Sequence, residues 1–157
     1  MFRILPALVL LLCLAPLSSE AFVFKKIVYC SPIEGVVHWQ GKPLSNLVVT
    51  RELYSGGFEG GKHTDTAITA KDGWFKFDVV QERRFLRPDL LSANPNISQL
   101  LWLLHDGQRY AIWSHTKYDF TEKSETNAGV IRIDCDLSAY EQYDHGRIVR
   151  CQHKGNI

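Results

Sequence analysis

The sequence has almost no excess of charge of either sign. Eighteen Lys and Arg residues stand against 17 Asp and Glu, for a formal net charge of +1. Proteins that bind nucleic acid depend on clustered Lys and Arg side chains. The basic clusters here, Lys25-Lys26 and Arg83-Arg84, are too short to form such a surface. We therefore do not expect nucleic acid to be a partner.

The sequence also lacks the short motifs that mark catalytic and metal sites. It contains no Gly-x-Ser-x-Gly, His-Glu-x-x-His, His-x-His or Cys-x-x-Cys pattern. Asp134 and Asp136 are assigned to opposite faces of a strand, so no carboxylate pair is expected to face one cleft. The histidines are scattered, although a folded sheet could gather two of them with Asp65 or Asp134. We predict no catalytic residue, no metal ligand and no cofactor. The six histidines are His38, His63, His105, His115, His145 and His153.

A long apolar run occurs only at the N-terminus, at residues 5–17, after the positive charge of Arg3. Small residues at Ser19 and Ala21 then suit cleavage by a signal peptidase. The run is shorter than the roughly 20 residues of a membrane span. We predict an export signal over residues 1–21, with an uncleaved anchor as the alternative. The mature protein, residues 22–157, would be a single periplasmic or secreted domain without stable membrane insertion.

Three cysteines remain in the mature chain, and export would place them in an oxidising compartment. Cys135 and Cys151 each follow a strand-like run, and we expect them to form a disulfide that closes the C-terminal tail from about residue 128. Cys30 would then be left over. It could instead take one of the two partners, because connectivity cannot be deduced from sequence.

Short apolar and aromatic runs, separated by Gly, Pro and Asp-Gly turns, predict an all-β protein. About seven strands would form a two-sheet antiparallel Greek-key sandwich. Asp72-Gly73 and Asp106-Gly107 are expected to be hairpin turns. One helical turn is expected near Asp89–Ala93 and a short helix at Leu137–Tyr143. The predicted strands cover residues 34–39, 46–53, 63–70, 74–79, 98–105, 108–115 and 130–134.

The segment Ile33–Phe77 resembles the carboxypeptidase-regulatory-like group of transthyretin-type domains. The resemblance lies in a Gly-x-Val strand at residues 35–37, Gly-Lys-Pro-Leu at 41–44, and Thr-Ala-Lys-Asp-Gly-Trp-Phe at 69–75. It implies a transthyretin-like sandwich and an accessory or binding role. The chain is also similar to small exported bacterial proteins that join this frame to a Cys-Asp-Leu segment, here residues 135–137. The Tyr-Arg-Gly-Ser tail of hydrolytic relatives is absent, so their activity is not carried over.

Three aromatic residues are candidates for contact with a partner. Period-two geometry places Trp74 on the outer face of its strand, where it either packs beneath a loop or anchors a partner. Tyr54 and Phe58 lie in or beside the glycine-rich segment 56–61, which is either an ordinary connecting loop or a flexible loop that binds a partner. Asn96-Ile97-Ser98 is a glycosylation sequon.

The leading hypothesis is an exported, non-enzymatic protein that binds another protein. One version is a small, immunity-like antagonist of an exported enzyme or toxin. The alternatives are a module that binds carbohydrate or another cell-envelope ligand, which would need exposed coplanar aromatics, and a metal-dependent hydrolase.

Overall fold

The protein is built almost entirely from β-strands, as the sequence predicts. A computed structural model describes residues 25–85 and 96–154. The predicted export signal and the helical turn near Asp89–Ala93 lie outside these residues. One short 3-10 turn, Glu59–Gly61, interrupts the strands. The strands are β1 (Lys25–Cys30), β2 (Ile33–Trp39), β3 (Lys42–Pro43), β4 (Val48–Tyr54), β5 (Lys62–Ile68), β6 (Trp74–Phe77), β7 (Val80–Arg84), β8 (Ile97–His105), β9 (Gln108–Lys117), β10 (Ile131–Asp136), β11 (Tyr140–Tyr143), β12 (Gly146–Val149) and β13 (Gln152–His153).

The strands form two main sheets and a short ribbon. The large sheet has the order β11-β12-β9-β8-β4-β5. The small sheet has the order β13-β10-β2-β3, with β6 also paired to β2. Strands β1 and β7 form the antiparallel ribbon. Most neighbours are antiparallel, but β2 pairs with β10 and β9 pairs with β12 in parallel.

One apolar core lies between the sheets, because alternate side chains of each strand point inward. From the large sheet, Leu101 and Leu103 are fully buried while Leu104, on the opposite face, is exposed. From the small sheet, Phe75 and Phe77 point into the same core, as their alternation with Trp74 predicts.

Two local predictions differ from the structure. The sequence predicted a hairpin at Asp72-Gly73, but β5 pairs with β4 and β6 pairs with β2, so this turn carries the chain from one sheet to the other. The predicted helix at Leu137–Tyr143 is instead a turn at residues 137–139, closed by a hydrogen bond from the Ala139 amide to the Asp136 carbonyl, followed by strand β11, which pairs with β12. At Asp72-Gly73 the pairing partners β2 and β4 lie earlier in the chain, and the local pattern carries no information about them.

The Asp106-Gly107 hairpin is confirmed. It joins β8 to β9, and His105 faces Gln108 across the turn. Both central residues have positive φ, 47° for Asp106 and 69° for Gly107. This is the primed turn geometry that matches the twist of the flanking strands.

Candidate functional site

The predicted disulfide between Cys135 and Cys151 is present, with 4.4 Å between the Cα atoms. Cys135 lies buried in β10 of the small sheet. Cys151 lies between β12 of the large sheet and β13 of the small sheet. The bond therefore fixes the point at which the chain crosses between the sheets.

Cys30 is free and fully buried. Burial raises the pKa of its thiol to about 12, although the nearby Arg51 guanidinium acts in the opposite direction. The thiolate is the nucleophilic form of cysteine. At neutral pH the side chain is therefore protonated and behaves as a small buried apolar group.

The three predicted partner residues lie in different settings. Trp74 and Tyr54 are each 42% exposed, but Trp74 belongs to the small sheet and Tyr54 to the large sheet. Phe58 is half-buried, and its ring lies 4.2 Å from that of Tyr29, centroid to centroid. Trp74 and Tyr54 thus offer surface to a partner on separate sheets, whereas Phe58 mainly packs against the core.

A polar cluster surrounds His38 on the outer face of the small sheet. The prediction that Asp134 and Asp136 lie on opposite faces is wrong, because residues two apart share a face. In the parallel register β2 faces β10 with His38 opposite Asp136. His38 Nε2 lies 2.7 Å from Asp134 Oδ1, and the Gly41 amide donates to His38 Nδ1 at 3.2 Å. Both ring nitrogens of His38 therefore have partners within the protein.

The carboxylates of this cluster are held in their charged form by donors. The hydrogen bond from Lys154 is the largest influence on Asp134 and lowers its pKa, and His38 acts in the same direction. Burial alone would raise the pKa of Asp136, but hydrogen bonds from Ser138 and the Gln40 amide outweigh it, and the pKa lies below the usual range. The cluster is a network of hydrogen bonds and ion pairs that ties the β2–β3 turn, and Lys154 just after β13, to β10.

The large sheet carries exposed apolar side chains on its outer face. Val48, Ile68 and Leu104 are 49%, 66% and 55% exposed. Val48 faces Ile68 across β4 and β5. Val49 faces Leu103 in the antiparallel pair of β4 and β8, so Leu104 lies next to Val48 at the following position. The three side chains thus form one row across three neighbouring strands, where cross-strand neighbours are about 5 Å apart.

A second row extends this apolar area toward the other edge of the sheet. Trp102 faces Ala111, and Ala111 faces Ile148. The guanidinium of Arg109 lies over the Trp102 ring, 4.4 Å from its centroid. A shallow depression of about 220 Å³ opens beside Ala111 and Ile148. We call Val48, Ile68, Leu104, Trp102, Ala111 and Ile148 together the apolar face.

Sequence reasoning missed the apolar face, since aliphatic residues in strands are first assigned to the core. Strand β5, with the sequence KHTDTAI, offered a usable signal, because neighbouring side chains of a strand point to opposite faces and those of β5 alternate between exposed and half-buried. If Ala67 points inward, Ile68 must point outward. The same alternation sets Leu104 against Leu103 in β8.

Neither a metal-binding cluster nor a membrane-spanning helix occurs among the described residues. Residues 25–85 and 96–154 hold no group of three or more His, Cys, Asp or Glu side chains placed to bind a metal ion. Within the same part of the chain, no helix has the length and hydrophobicity to cross a membrane. The structure brings His38 to Asp134, and it leaves His63 Nε2 3.9 Å from Asp65 Oδ2.

The fold and the surface define an all-β protein with a disulfide and an exposed apolar sheet face. The chain belongs to the DUF6795 family, a domain of unknown function, which matches residues 33–140. The match includes most of the apolar face and Cys135, and ends before Cys151. The comparisons give no support for the carboxypeptidase-regulatory-like or transthyretin-like group.

No curated protein matches the chain. Among solved structures, the chain is similar to chlorocatechol 1,2-dioxygenase from Pseudomonas putida, with 13% identity and a TM-score of 0.27. The similarity covers 80% of this chain and 57% of the enzyme, so the chain spans little more than half of that protein. We draw no argument from a likeness of this size.

Proposed function

We propose that this protein is exported, has no enzymatic activity, and acts by binding another protein through the apolar face. A small antagonist of an exported enzyme or toxin is one form that this role could take. The observation that carries the proposal is the row of three aliphatic side chains, each about half exposed or more, on adjacent strands. Contiguous exposed apolar surface on a soluble domain is typical of protein–protein contact sites.

The backbone of the apolar face is already ordered before any partner arrives. Val48 and Leu104 sit in β4 and β8, which are central strands of the large sheet with paired neighbours on both sides. A partner would therefore bury apolar area without first ordering the backbone that presents it, which lowers the cost of association. The resemblance of Ile33–Phe77 to accessory and binding modules agrees with this role. Export remains an expectation from the leader-like residues 1–21.

Carbohydrate binding has less support in the geometry. It would be favoured by exposed coplanar rings that could stack on a sugar. Trp74 and Tyr54 lie on separate sheets, and Trp102 is covered by Arg109. Trp74 could still act as an isolated anchor at the edge of a protein contact.

The test compares two variants of equal charge on the same face of the large sheet. Ile68→Lys with Leu104→Lys places two charges in the aliphatic row. Thr64→Lys with Thr66→Lys places two charges on neighbouring outward, exposed positions of β5. The purified protein, expressed as the full-length chain, is immobilised and exposed to extracts of its source, with envelope glycans included.

We expect one protein to be retained in stoichiometric amount by the wild type and by the threonine variant, and to be lost by the row variant. Melting temperatures should agree within about 2 °C, because exposed substitutions change stability little. Equal retention by both variants would place the contact elsewhere. Retention of glycan alone, or of nothing, would contradict the proposal.

Single substitutions at the sequence-predicted residues complete the test. Trp74→Ala and Tyr54→Ala should weaken capture without changing the melting temperature if either ring touches the partner. Phe58→Ala should instead lower the melting temperature, because the ring packs on Tyr29.

A further inference from the structure

The depression of about 220 Å³ on the large sheet lies where the β11–β12 hairpin meets the outer side of that sheet. Ala111 lines it and points outward, because its neighbours Tyr110 and Ile112 are buried in the core. Ile148 faces Ala111 across the parallel pair of β9 and β12 and is 40% exposed. The depression is therefore continuous with the apolar face.

The hairpin supplies an aromatic wall on the same side of the sheet. Tyr143 lines the depression and is half exposed. It lies two residues after Glu141, which faces Ile148, so Tyr143 shares their outward side. The disulfide between Cys135 and Cys151 joins the chain on either side of the hairpin and holds this wall in place. A partner would meet a surface that is fixed in advance, which lowers the cost of association.

Arg109 brings an available positive charge to the depression. It belongs to the lining, and its guanidinium lies over the outward-facing Trp102 ring, 4.4 Å from the ring centroid. Within the described part of the chain, its side chain has no hydrogen bond and no carboxylate partner. Stacking holds the plane of the guanidinium and leaves the N–H groups along its edge free to donate to a carboxylate.

The charge around the depression favours an acidic partner. Among the described residues, no Asp or Glu side chain lines it. Glu141, on the same side of the hairpin, is already paired with Arg150 at 2.8 Å. Arg147 also contributes to the lining, but it donates to the Tyr110 hydroxyl and is engaged there. Arg109 is thus the cation that a carboxylate of a partner would complement.

The dimensions suit one side chain of a protein better than a whole small molecule. A volume of about 220 Å³ is below the roughly 300–1,000 Å³ of small-molecule sites. Arg109 and Ala111 lie two residues apart on one side of β9, so the positions for the carboxylate and for the apolar group are about 7 Å apart. Alternate residues of an extended peptide have the same spacing.

We propose that the protein partner lays an extended segment across this end of the apolar face. An aliphatic side chain of that segment fills the depression against Ile148 and Tyr143. A carboxylate two residues away along the segment accepts hydrogen bonds from Arg109. The inference rests on the proposed function, because it names the chemistry that the partner presents to the apolar face.

The probes are two acetylated and amidated tripeptides, Leu-Ser-Asp and Asp-Ser-Leu, one for each direction of the partner segment. Each is compared with its counterpart that has Asn in place of Asp. Binding is followed by amide chemical shifts of the full-length protein in NMR titrations. We expect one acidic tripeptide to shift the amides of Arg109, Ala111 and Ile148 with a saturating, millimolar curve. Its Asn counterpart should bind about fivefold more weakly, the upper end of what an exposed ion pair contributes.

Matched variants separate the roles of the charge and of the apolar wall. Arg109→Gln should bind the acidic tripeptide and its Asn counterpart equally. Arg132→Gln removes a charge from an exposed position of β10, outside the lining, and should keep the difference. Ile148→Ser should weaken both tripeptides. Val48→Ser, at an exposed position of the apolar face outside the lining, should leave both unchanged.

Three results would overturn the inference: no saturating shifts at these amides with either acidic tripeptide, equal binding of the Asn counterparts, or the same effect from Arg132→Gln as from Arg109→Gln. None of them would touch the proposed function, whose test is capture from extracts and its loss on substitution of Ile68 and Leu104. Failure of that capture would contradict the proposed function whatever the tripeptides do.

Discussion

Replacing Lys117 by methionine should strongly destabilise the protein, because Lys117 and Glu125 form an ion pair shut off from solvent. Their side chains are 1% and 0% exposed, and Lys117 Nζ lies 3.2 Å from Glu125 Oε2. Lys117 also donates to the Thr121 carbonyl at 2.7 Å. The carboxylate of Glu125 accepts further hydrogen bonds from the Ser31 amide and hydroxyl and from Gln99 Nε2, at 2.8–3.1 Å.

The methionine keeps the apolar stem and removes the charge. Glu125 is then left as a buried carboxylate with neutral donors only. Removing one partner of a buried pair costs about 3–5 kcal/mol. We expect the lower end of this range at pH 7, since Glu125 can relieve part of the cost by taking up a proton. A loss of about 3 kcal/mol corresponds to a fall of roughly 10 °C in Tm for a domain of this size.

The assay is urea unfolding at pH 7, followed by tryptophan fluorescence and circular dichroism. Three variants are compared: Lys117→Met, the double variant Lys117→Met with Glu125→Gln, and Lys76→Met as a control. Lys76 pairs with Asp78 at 3.5 Å, but both side chains are exposed, so its removal should cost less than about 0.5 kcal/mol. The double variant should recover at least about 1 kcal/mol relative to Lys117→Met, because no uncompensated charge remains.

Two results would refute this reasoning. A loss below about 1 kcal/mol in Lys117→Met would show that Glu125 reaches solvent or another cation. A double variant no more stable than the single one would show that the loss comes from packing rather than from the isolated carboxylate.

Three more predictions follow from the same structure. Burial alone would raise the pKa of Glu125, but its hydrogen bond from Gln99 and the charge of Lys117 hold the pKa below the ordinary 4.5. The stabilisation from Glu125 is therefore present above that pH and is lost as the pH falls through the folded-state pKa. The free energy of unfolding should fall less steeply with acid in Glu125→Gln than in the wild type, and an equally steep fall would assign the acid sensitivity to other groups. Reduction of the Cys135–Cys151 disulfide should lower stability by about 3 kcal/mol on the chain-entropy model, measured as a fall in Tm with dithiothreitol that is absent from the Cys135→Ala, Cys151→Ala variant. Gly73→Ala should lower Tm clearly more than Gly41→Ala. Both glycines have positive φ, but only at Gly73 would a Cβ lie 2.3 Å from the Val37 carbonyl oxygen. An equal fall in Tm for the two variants would mean that the backbone shifts to relieve the contact with Val37.

The strands of the large sheet were the most predictable part of the fold. Residues 98–105 and 108–115 were predicted as strands, and the structure extends them to Ile97–His105 and Gln108–Lys117. Alternation of apolar and polar residues identifies such strands, and Asp106-Gly107 identifies the turn between them. Both signals depend only on residues close together in the chain, so contacts with distant segments do not change what they predict.

Pairings between distant segments could not be predicted. The ribbon joins Lys25–Cys30 to Val80–Arg84, and the parallel contact joins β2 to β10 nearly 100 residues later in the chain. The register of that contact places His38 between Asp134 and Asp136. Register depends on which faces are buried and on long-range contacts, not on local composition.

The candidate surfaces show the same division. Trp74 was predicted to point outward, and it does, because its neighbours Phe75 and Phe77 define the inward face. The aliphatic row was not predicted, because Val48, Ile68 and Leu104 come from three separated strands and become neighbours only through pairing.

The sequence by itself determined the all-β composition, the local turn at Asp106-Gly107 and the expectation that Cys135 pairs with Cys151. These features depend on alternation, turn residues and cysteine position within short stretches of chain. Only the tertiary structure decided which apolar residues remain exposed and how Lys117 and Glu125 share a closed site. Those outcomes depend on distances between residues far apart in the chain, which are set when the sheets pair and pack.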